Sequence, residues 1–246
     1  MSDGRVLLIA GGSGSIGGAI ARLALEQGWK VALHGRNAEK LQDVVVDLSD
    51  FGMVDSFAAD IREDDAAEAL VAEVAEQFGR IDAVIDCTAT GPQGITGLFP
   101  GTSPEVFGEF LSVSVGWVER LAHAAYEMLA QQGGTLIAFV SDAGIYAAPR
   151  QTLIGAARAG TIGFIRNFAV EAARDGIRAH VISPSFVEGS ESARRLGSER
   201  MAKAAKRAGL GLPVAEDIAP LALFLCSDGA RRITGQVISV NGGLNA

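Results

Sequence analysis

The chain has 246 residues, of which 48% are hydrophobic and 31 are glycine, with a formal net charge of −8 and two cysteines. Negative charge spread without blocks argues against a nucleic-acid surface, and no apolar run approaches the ~20 residues that a membrane span needs. Cys87 and Cys226 lie far apart in apolar runs, with no charged-then-apolar leader. That pattern excludes a disulfide framework and fits a reducing compartment, so a cytoplasmic protein is expected.

Val6–Ile9 is an apolar run without polar alternation, which predicts a strand buried on both faces. A glycine-rich turn follows at once, and Ile16, Ile20, Leu23 and Leu25 then mark a helix that ends at Gly28. Gly12-x-Gly14-x-x-Gly17 between strand and helix matches the dinucleotide fingerprint. There the backbone N–H groups at a helix start can approach a pyrophosphate. The competing reading is a glycine-rich surface turn without a ligand. Val31–His34 is the next strand, ending at Gly35-Arg36-Asn37. In a dinucleotide fold a carboxylate here would bind a free ribose 2′-hydroxyl, whereas a nearby arginine accommodates a 2′-phosphate. Gly35 and Arg36 therefore favour NADP(H) over NAD(H), against the alternative that Arg36 is a solvated turn residue.

Further on, Glu39–Leu48 reads as a helix, Met53–Ala58 as a strand ending at Asp60-Ile61, Ala66–Phe78 as a helix and Ile81–Ile85 as a strand. Such alternation specifies a parallel sheet with crossover helices. The segment 92–104 is expected as a loop, Pro104–Gln131 as one long helix, Thr135–Val140 as a strand closed by Ser141-Asp142-Ala143-Gly144, and Thr152–Arg174 as a second long helix. Ile177–Ser183 is a strand, Glu188–Gly211 a mobile-looking charged segment, and a helix from Glu216 to Cys226 and a strand Gln236–Val240 close the chain. His34, His123 and His180 show no metal-ligand spacing and read as satisfied structural histidines, so no metal is expected.

The glycine loop, Arg36, Asp60-Ile61, Ser141, Ile182-Ser183-Pro184 and the tail through Gly235-Gln236-Val237 to Gly242-Gly243 together resemble the short-chain dehydrogenase/reductase family along the whole chain. The resemblance implies one α/β domain over residues 1–246, a Rossmann-type, doubly wound, seven-stranded parallel sheet with helices on both faces, and assembly as a homodimer or homotetramer. It implies cofactor contacts from Gly11, Ser13, Ser15, Ile16 and Gly17, then from Arg36, Asn37, Asp60, Ile61, Cys87 and Ala89, and finally from Arg158, Pro184 and Val187. Departures accompany the likeness: Ala10 stands for the usual threonine, Gly14 and Ser15 look transposed, and Asp86-Cys87-Thr88-Ala89 replaces Asn-Asn-Ala-Gly.

The family reduces carbonyls with a serine, a tyrosine thirteen residues later, a lysine four beyond that, and an asparagine on the preceding long helix. Ser141 matches the serine, while Ile154, Arg158 and Ser114 fall in the other three places. An isoleucine donates no proton, and an arginine does not deprotonate in proteins, although its guanidinium can still hold ribose hydroxyls. Gln151 stands where related enoyl reductases keep their tyrosine, and halohydrin dehalogenases, which share an arginine at the lysine position, keep the tyrosine and lose the glycine loop. Tyr146 either supplies the missing hydroxyl or packs along a substrate pocket, and Asp142 is a strand-end polar residue or a protonated donor. Glu188–Gly211 mixes Arg194, Arg195, Arg200, Lys203, Lys206 and Arg207 with glycines, which reads as a solvated basic face more readily than as an anion site. Two functions follow: an NADP(H)-dependent oxidoreductase with Ser141, Arg158 and Tyr146 as its catalytic residues, acting on a small carbonyl, alcohol or activated alkene, or a catalytically silent nucleotide-binding relative serving as sensor, scaffold or subunit.

Overall fold

The computed structural model describes residues 4–88 and 94–245. Seven strands form one parallel sheet in the order β3-β2-β1-β4-β5-β6-β7. They are β1 Val6–Ala10, β2 Lys30–Gly35, β3 Val54–Ala58, β4 Ala83–Asp86, β5 Thr135–Phe139, β6 Arg178–Ser183 and β7 Val237–Ser239. The strand order reverses between β1 and β4, and in a doubly wound sheet the crevice beyond the strand ends at that point is where ligands collect.

Side chains of a strand alternate between faces, and both faces of this sheet are apolar. Val6, Leu8 and Ala10 pack with Val84, Leu136 and Val181 on one side, whereas Leu7 and Ile9 pack with Leu33, Ile85 and Ile182 on the other. The first side is closed by α3 Ala66–Phe78, α5 Trp117–Gln132 and α6 Thr152–Ala172, through residues such as Leu70, Leu121 and Ile165. The second is closed by α1 Ser15–Glu26, α2 Ala38–Leu48 and α9 Ala215–Cys226, through Ile20, Leu41 and Ile218. No helix among the described residues is long and apolar enough to cross a membrane.

Several segments differ from the sequence expectation. The single helix expected over Pro104–Gln131 is a 3₁₀ turn Pro104–Val106, a short α4 Phe107–Leu111, a π turn Ser112–Gly116 and then α5. Over one turn, apolar spacing is compatible with either i→i+4 or i→i+5 bonding, so periodicity does not reveal the change. The charged segment Glu188–Gly211, for which no helix bounds were expected, carries α7 Glu191–Leu196 and α8 Ser198–Ala205. Ser190 caps α7 by accepting from Ala193 N–H at 3.1 Å, and Glu191 pairs with Arg194 and Arg195, as Glu199 does with Lys203, at helical spacing. Ala204 and Ala208 pack on Leu244, and Leu210 N–H donates to Gly242 O at 2.9 Å, so the charged segment rests on the C-terminal tail. β7 is one residue shorter at each end than expected, and β4 begins at Ala83, after Asp82 has turned its carboxylate onto Val6 N–H at 2.8 Å.

The histidines are only partly satisfied. His34 Nε2 lies 3.1 Å from Ala59 O and the ring stacks on Trp117, whereas neither ring nitrogen of buried His180 makes a well-formed hydrogen bond among the described residues, the Ile233 backbone giving only a weak interaction that opposes the effect of burial. Burial, helped by the positive charge of Arg178, pushes the His180 pKa down from the usual 6.5 to about 4. Below the usual value the unfolded chain takes up a proton that the folded one refuses, so this site costs nothing above pH 6.5 and lowers stability as pH falls toward 4. We expect a loss of about 1–3 kcal/mol across that window. Thermal melts of wild type and His180→Leu between pH 4 and 7 check it: the variant should lose part of the acid slope, and identical slopes would contradict the assignment.

Candidate functional site

The turn after β1 is built by close backbone approach. Gly11 has φ +81°, and the N–H groups of Gly11 and Gly12 both donate to His34 O at 2.9 Å, which ties the turn to β2. A Cβ on Gly17 would lie 2.5 Å from Gly11 O, and one on Gly12 would lie 2.7 Å from Leu33 Cδ2. Glycine at these positions lets the first turn of α1 sit directly against the end of β1. Gly14 precedes α1 in extended backbone with no side-chain cap, and no acidic residue occupies the first turn. The first-turn amides are therefore left without a capping partner at the positive end of the helix dipole.

A cavity of about 760 Å³ opens on this turn and spans the switch point. Gly14, Ser15, Ile16, Gly17, Cys87 and Thr88 line one half; Ser141, Tyr146, Gln151, Ile154 and Arg158 line the other, with Pro184 and Val187 above. A second cavity of about 470 Å³ is lined by Ser13, Arg36, Asn37, Lys40, Asp60 and Arg62. Asn37 Oδ1 caps α2 by accepting from Lys40 N–H at 2.8 Å, which sets Arg36 and Lys40 at the helix start. Hydrogen bonds from Arg62 hold the Asp60 carboxyl down to about 2, and neither Arg36 nor Lys40 forms an ion pair among the described residues. Three cations thus stand around one carboxylate. Of the other expected contacts, Gly11 packs on the Cys87 backbone, Ile61 is 3% exposed in the core, neither lines a cavity, and Ala89 lies outside the described residues.

The far wall is fixed by two further glycine contacts. A Cβ on Gly144 would meet Arg158 Cβ at 2.7 Å, and one on Gly155 would meet Ala143 O at 2.8 Å. The turn Asp142–Gly144 therefore lies flat on α6 and sets the register of Ile154 and Arg158, one helical turn apart, against Ser141. Ser141 Oγ accepts from Ala143 N–H at 3.4 Å. Tyr146 is 36% exposed, its N–H donates to Asp142 O at 2.7 Å, and its hydroxyl has no partner among the described residues. Asp142 is buried and accepts from Ser183 Oγ, Asn241 Nδ2 and Asn245 Nδ2 at 2.8–2.9 Å. A carboxyl group that receives three donors anchors the C-terminal tail.

A second buried carboxylate, Asp86 of the segment that departs from the family's Asn-Asn-Ala-Gly, interacts with the charge of Arg158. Asp86 Oδ1 accepts from Trp117 Nε1 at 3.1 Å and from Thr88 Oγ1 at 2.7 Å. Burial pushes the Asp86 pKa up, a shift opposed by the Thr88 hydrogen bond and by the charge of Arg158. Burial likewise lowers the Arg158 pKa while Asp86 holds it up, so the two groups compensate each other's charge inside the wall. Ser114, on the π turn, is 2% exposed; its hydroxyl finds no partner among the described residues and it does not line the cavity. Lys40 and Arg62 were missed as site residues; the position of Lys40 one turn after Arg36 was the available signal.

Comparison with known proteins gives this geometry a lineage. A family model described as enoyl-(acyl carrier protein) reductase matches residues 10–245. The chain is similar to 3-oxoacyl-(acyl-carrier-protein) reductase FabG of Chlamydia trachomatis, 32% identical over 246 residues and covering 98% of this chain and 97% of the relative. It is 33% identical over 248 residues to nodulation protein G of Rhizobium meliloti, with 98% and 97% covered. A short-chain type dehydrogenase/reductase from Mycobacterium ulcerans has the same fold, with a TM-score of 0.91 at 24% identity over 98% of this chain and 89% of that one. Sheet order, glycine turn and these full-length matches agree, and the chain belongs to the short-chain dehydrogenase/reductase family.

Proposed function

We propose that the protein is an NADP(H)-dependent oxidoreductase of a single domain, acting on a carbonyl, alcohol or activated alkene through an active site that has lost the family's tyrosine and lysine. The observation that carries this reading is the continuous cleft in which the uncapped start of α1, Ser141 and Arg158 face one space. The residues fit a dinucleotide: Ser15, Ile16 and Gly17 offer amides to a pyrophosphate, and Ser13, Arg36 and Lys40 offer a hydroxyl and two cations to a ribose 2′-phosphate. When bound, the nicotinamide supplies or accepts the hydride. On this reading Arg158 holds ribose hydroxyls, and the charge of Asp86 offsets its own.

Ile154 in the tyrosine's place removes the usual proton donor. Ser141 Oγ–H and the unpartnered Tyr146 hydroxyl are the remaining donors on that wall, and Tyr146 is assigned the proton. A catalytically silent nucleotide binder is the second reading, favoured by one observation: Ile154 joins an apolar cluster with Ile95, Phe110 and Ala157 instead of presenting a polar group. Assembly as a homodimer or homotetramer through α5 and α6, where Phe168 stacks on Phe164 and lies edge-on to Tyr126, is part of this reading and rests on the family resemblance.

NADPH oxidation followed by absorbance across a panel of ketones and enones separates the two readings. Slow turnover that falls further in Tyr146→Phe is expected, and Ile154→Tyr combined with Arg158→Lys should raise kcat by about 10²–10⁴-fold, the usual contribution of a positioned general acid. Binding without turnover in either protein would establish the silent reading. Cofactor preference is tested by fluorescence titration: NADPH should bind more tightly than NADH, Arg36→Ala should narrow the gap, and Gly35→Asp should reverse it. A Cβ at Gly35 meets its nearest atoms at 3.5 Å, an ordinary contact, so a side chain begins there without forcing the backbone. Equal affinity for both nucleotides in wild type would remove the role given to Arg36.

A further inference from the structure

Six basic residues of the Glu188–Gly211 segment look alike in sequence, but the fold sorts them. Arg195, Arg200 and Arg207 line the large cavity, whereas Arg194, Lys203 and Lys206 do not. The carboxylates that line the same cavity are both engaged: Asp142 accepts three hydrogen bonds from Ser183, Asn241 and Asn245, and Glu191 pairs with Arg194 and Arg195. Arg200 and Arg207 form no side-chain hydrogen bond or ion pair among the described residues. Two uncompensated guanidinium groups thus stand at the exposed mouth of a cleft in a chain whose net charge is −8. Such local reversal of sign draws anions to the opening.

Another part of the lining is apolar. Ile95 is 7% exposed and Phe110 1%, and with Ile154 they form one packed cluster on the cavity wall. The family's phenol position has thereby become part of a greasy surface.

From this pairing of an apolar wall with a cationic mouth, we infer that the substrate is a small amphiphilic anion. Its hydrocarbon body lies along Ile95, Phe110 and Ile154, and its carboxylate or phosphate terminus is held by Arg200 and Arg207. Planar guanidinium groups match either oxyanion through forked hydrogen bonds. The two arginines come from α8 and from the turn just after it, which packs through Ala204 and Ala208 on Leu244, so the anion clamp is held by the same tail that Asp142 anchors. The inference deepens the proposed function, resting on its reading of the cleft as a substrate site, and names the substrate class.

Isothermal titration with octanoate, octyl phosphate and 1-octanol, on the protein with and without NADPH, tests it. Both anions should bind about 5–10-fold more tightly than the alcohol, as exposed charge pairs allow, and the advantage should shrink with added salt. The stronger of the two anions identifies the terminus as carboxylate or phosphate. The double variant Arg200→Gln/Arg207→Gln should abolish the preference while still binding 1-octanol, which shows that the cleft is intact. Equal binding of the three probes, binding of none of them, or a preference that survives the double variant would overturn the inference. So would a double variant that keeps the preference but binds NADPH more weakly, since the arginines would then serve the nucleotide. If NADPH fails to bind while the cofactor-free protein prefers the anions, the nucleotide reading fails and the anion clamp stands.

Discussion

The contact on which the rest of this structure depends is the approach of Gly17 to the carbonyl of Gly11, so close that a methyl group would lie 2.5 Å from that oxygen. It seats the first turn of α1 on the end of β1, next to the strand-order reversal, and leaves that turn without a side-chain cap. A helix start of this kind favours an anion, because its amides have no intrahelical acceptor and its dipole is positive there. Everything placed around the cleft, from Arg36 on one side to Arg158 on the other, takes its meaning from that fixed point. Bulk apolar burial stabilises the sheet, but it does not choose where the ligand goes.

Opposite that point the wall is held by a different kind of constraint. Asp142 gathers donors from residues 41, 99 and 103 positions away, so the end of β5, the end of β6 and the C-terminal tail are fixed to one carboxylate. Removal of that acceptor would leave three donors unsatisfied in a buried place, a larger penalty than the net worth of the bonds themselves. Asp86 does the matching work for β4, carrying Trp117 and Thr88 and balancing Arg158. The charge of Asp86 offsets that of Arg158, which an asparagine at the end of β4 would not do.

The alternating apolar runs made the strand and helix order legible, since a parallel sheet covered on both faces leaves no room for polar alternation. The glycine turn and its flanks located the cleft, and Ser141, Ile154, Arg158 and Tyr146 do share one cavity. Other features were hidden for identifiable reasons. A π turn and an α turn share their apolar spacing, so the break at Ser112–Gly116 left no trace in periodicity. Helices α7 and α8 are short and charged, and local pairs such as Glu199 with Lys203 support them without an apolar stripe to read. Which of six basic residues face inward depends on how that segment folds back on the tail, a tertiary fact that sequence spacing does not encode. His180 looked like a satisfied core histidine because sequence gives burial but not partners.

The central claim is that the α1 amides remain a phosphate site although the neighbouring proton donor has become aliphatic. Residue-resolved amide hydrogen exchange, with and without saturating NADPH, tests it at the atoms concerned. Slowed exchange at Ser15, Ile16 and Gly17, accompanied by protection around Arg36 and Lys40, is the predicted result. Unchanged exchange across Ser15–Gly17 at saturating nucleotide would contradict the account.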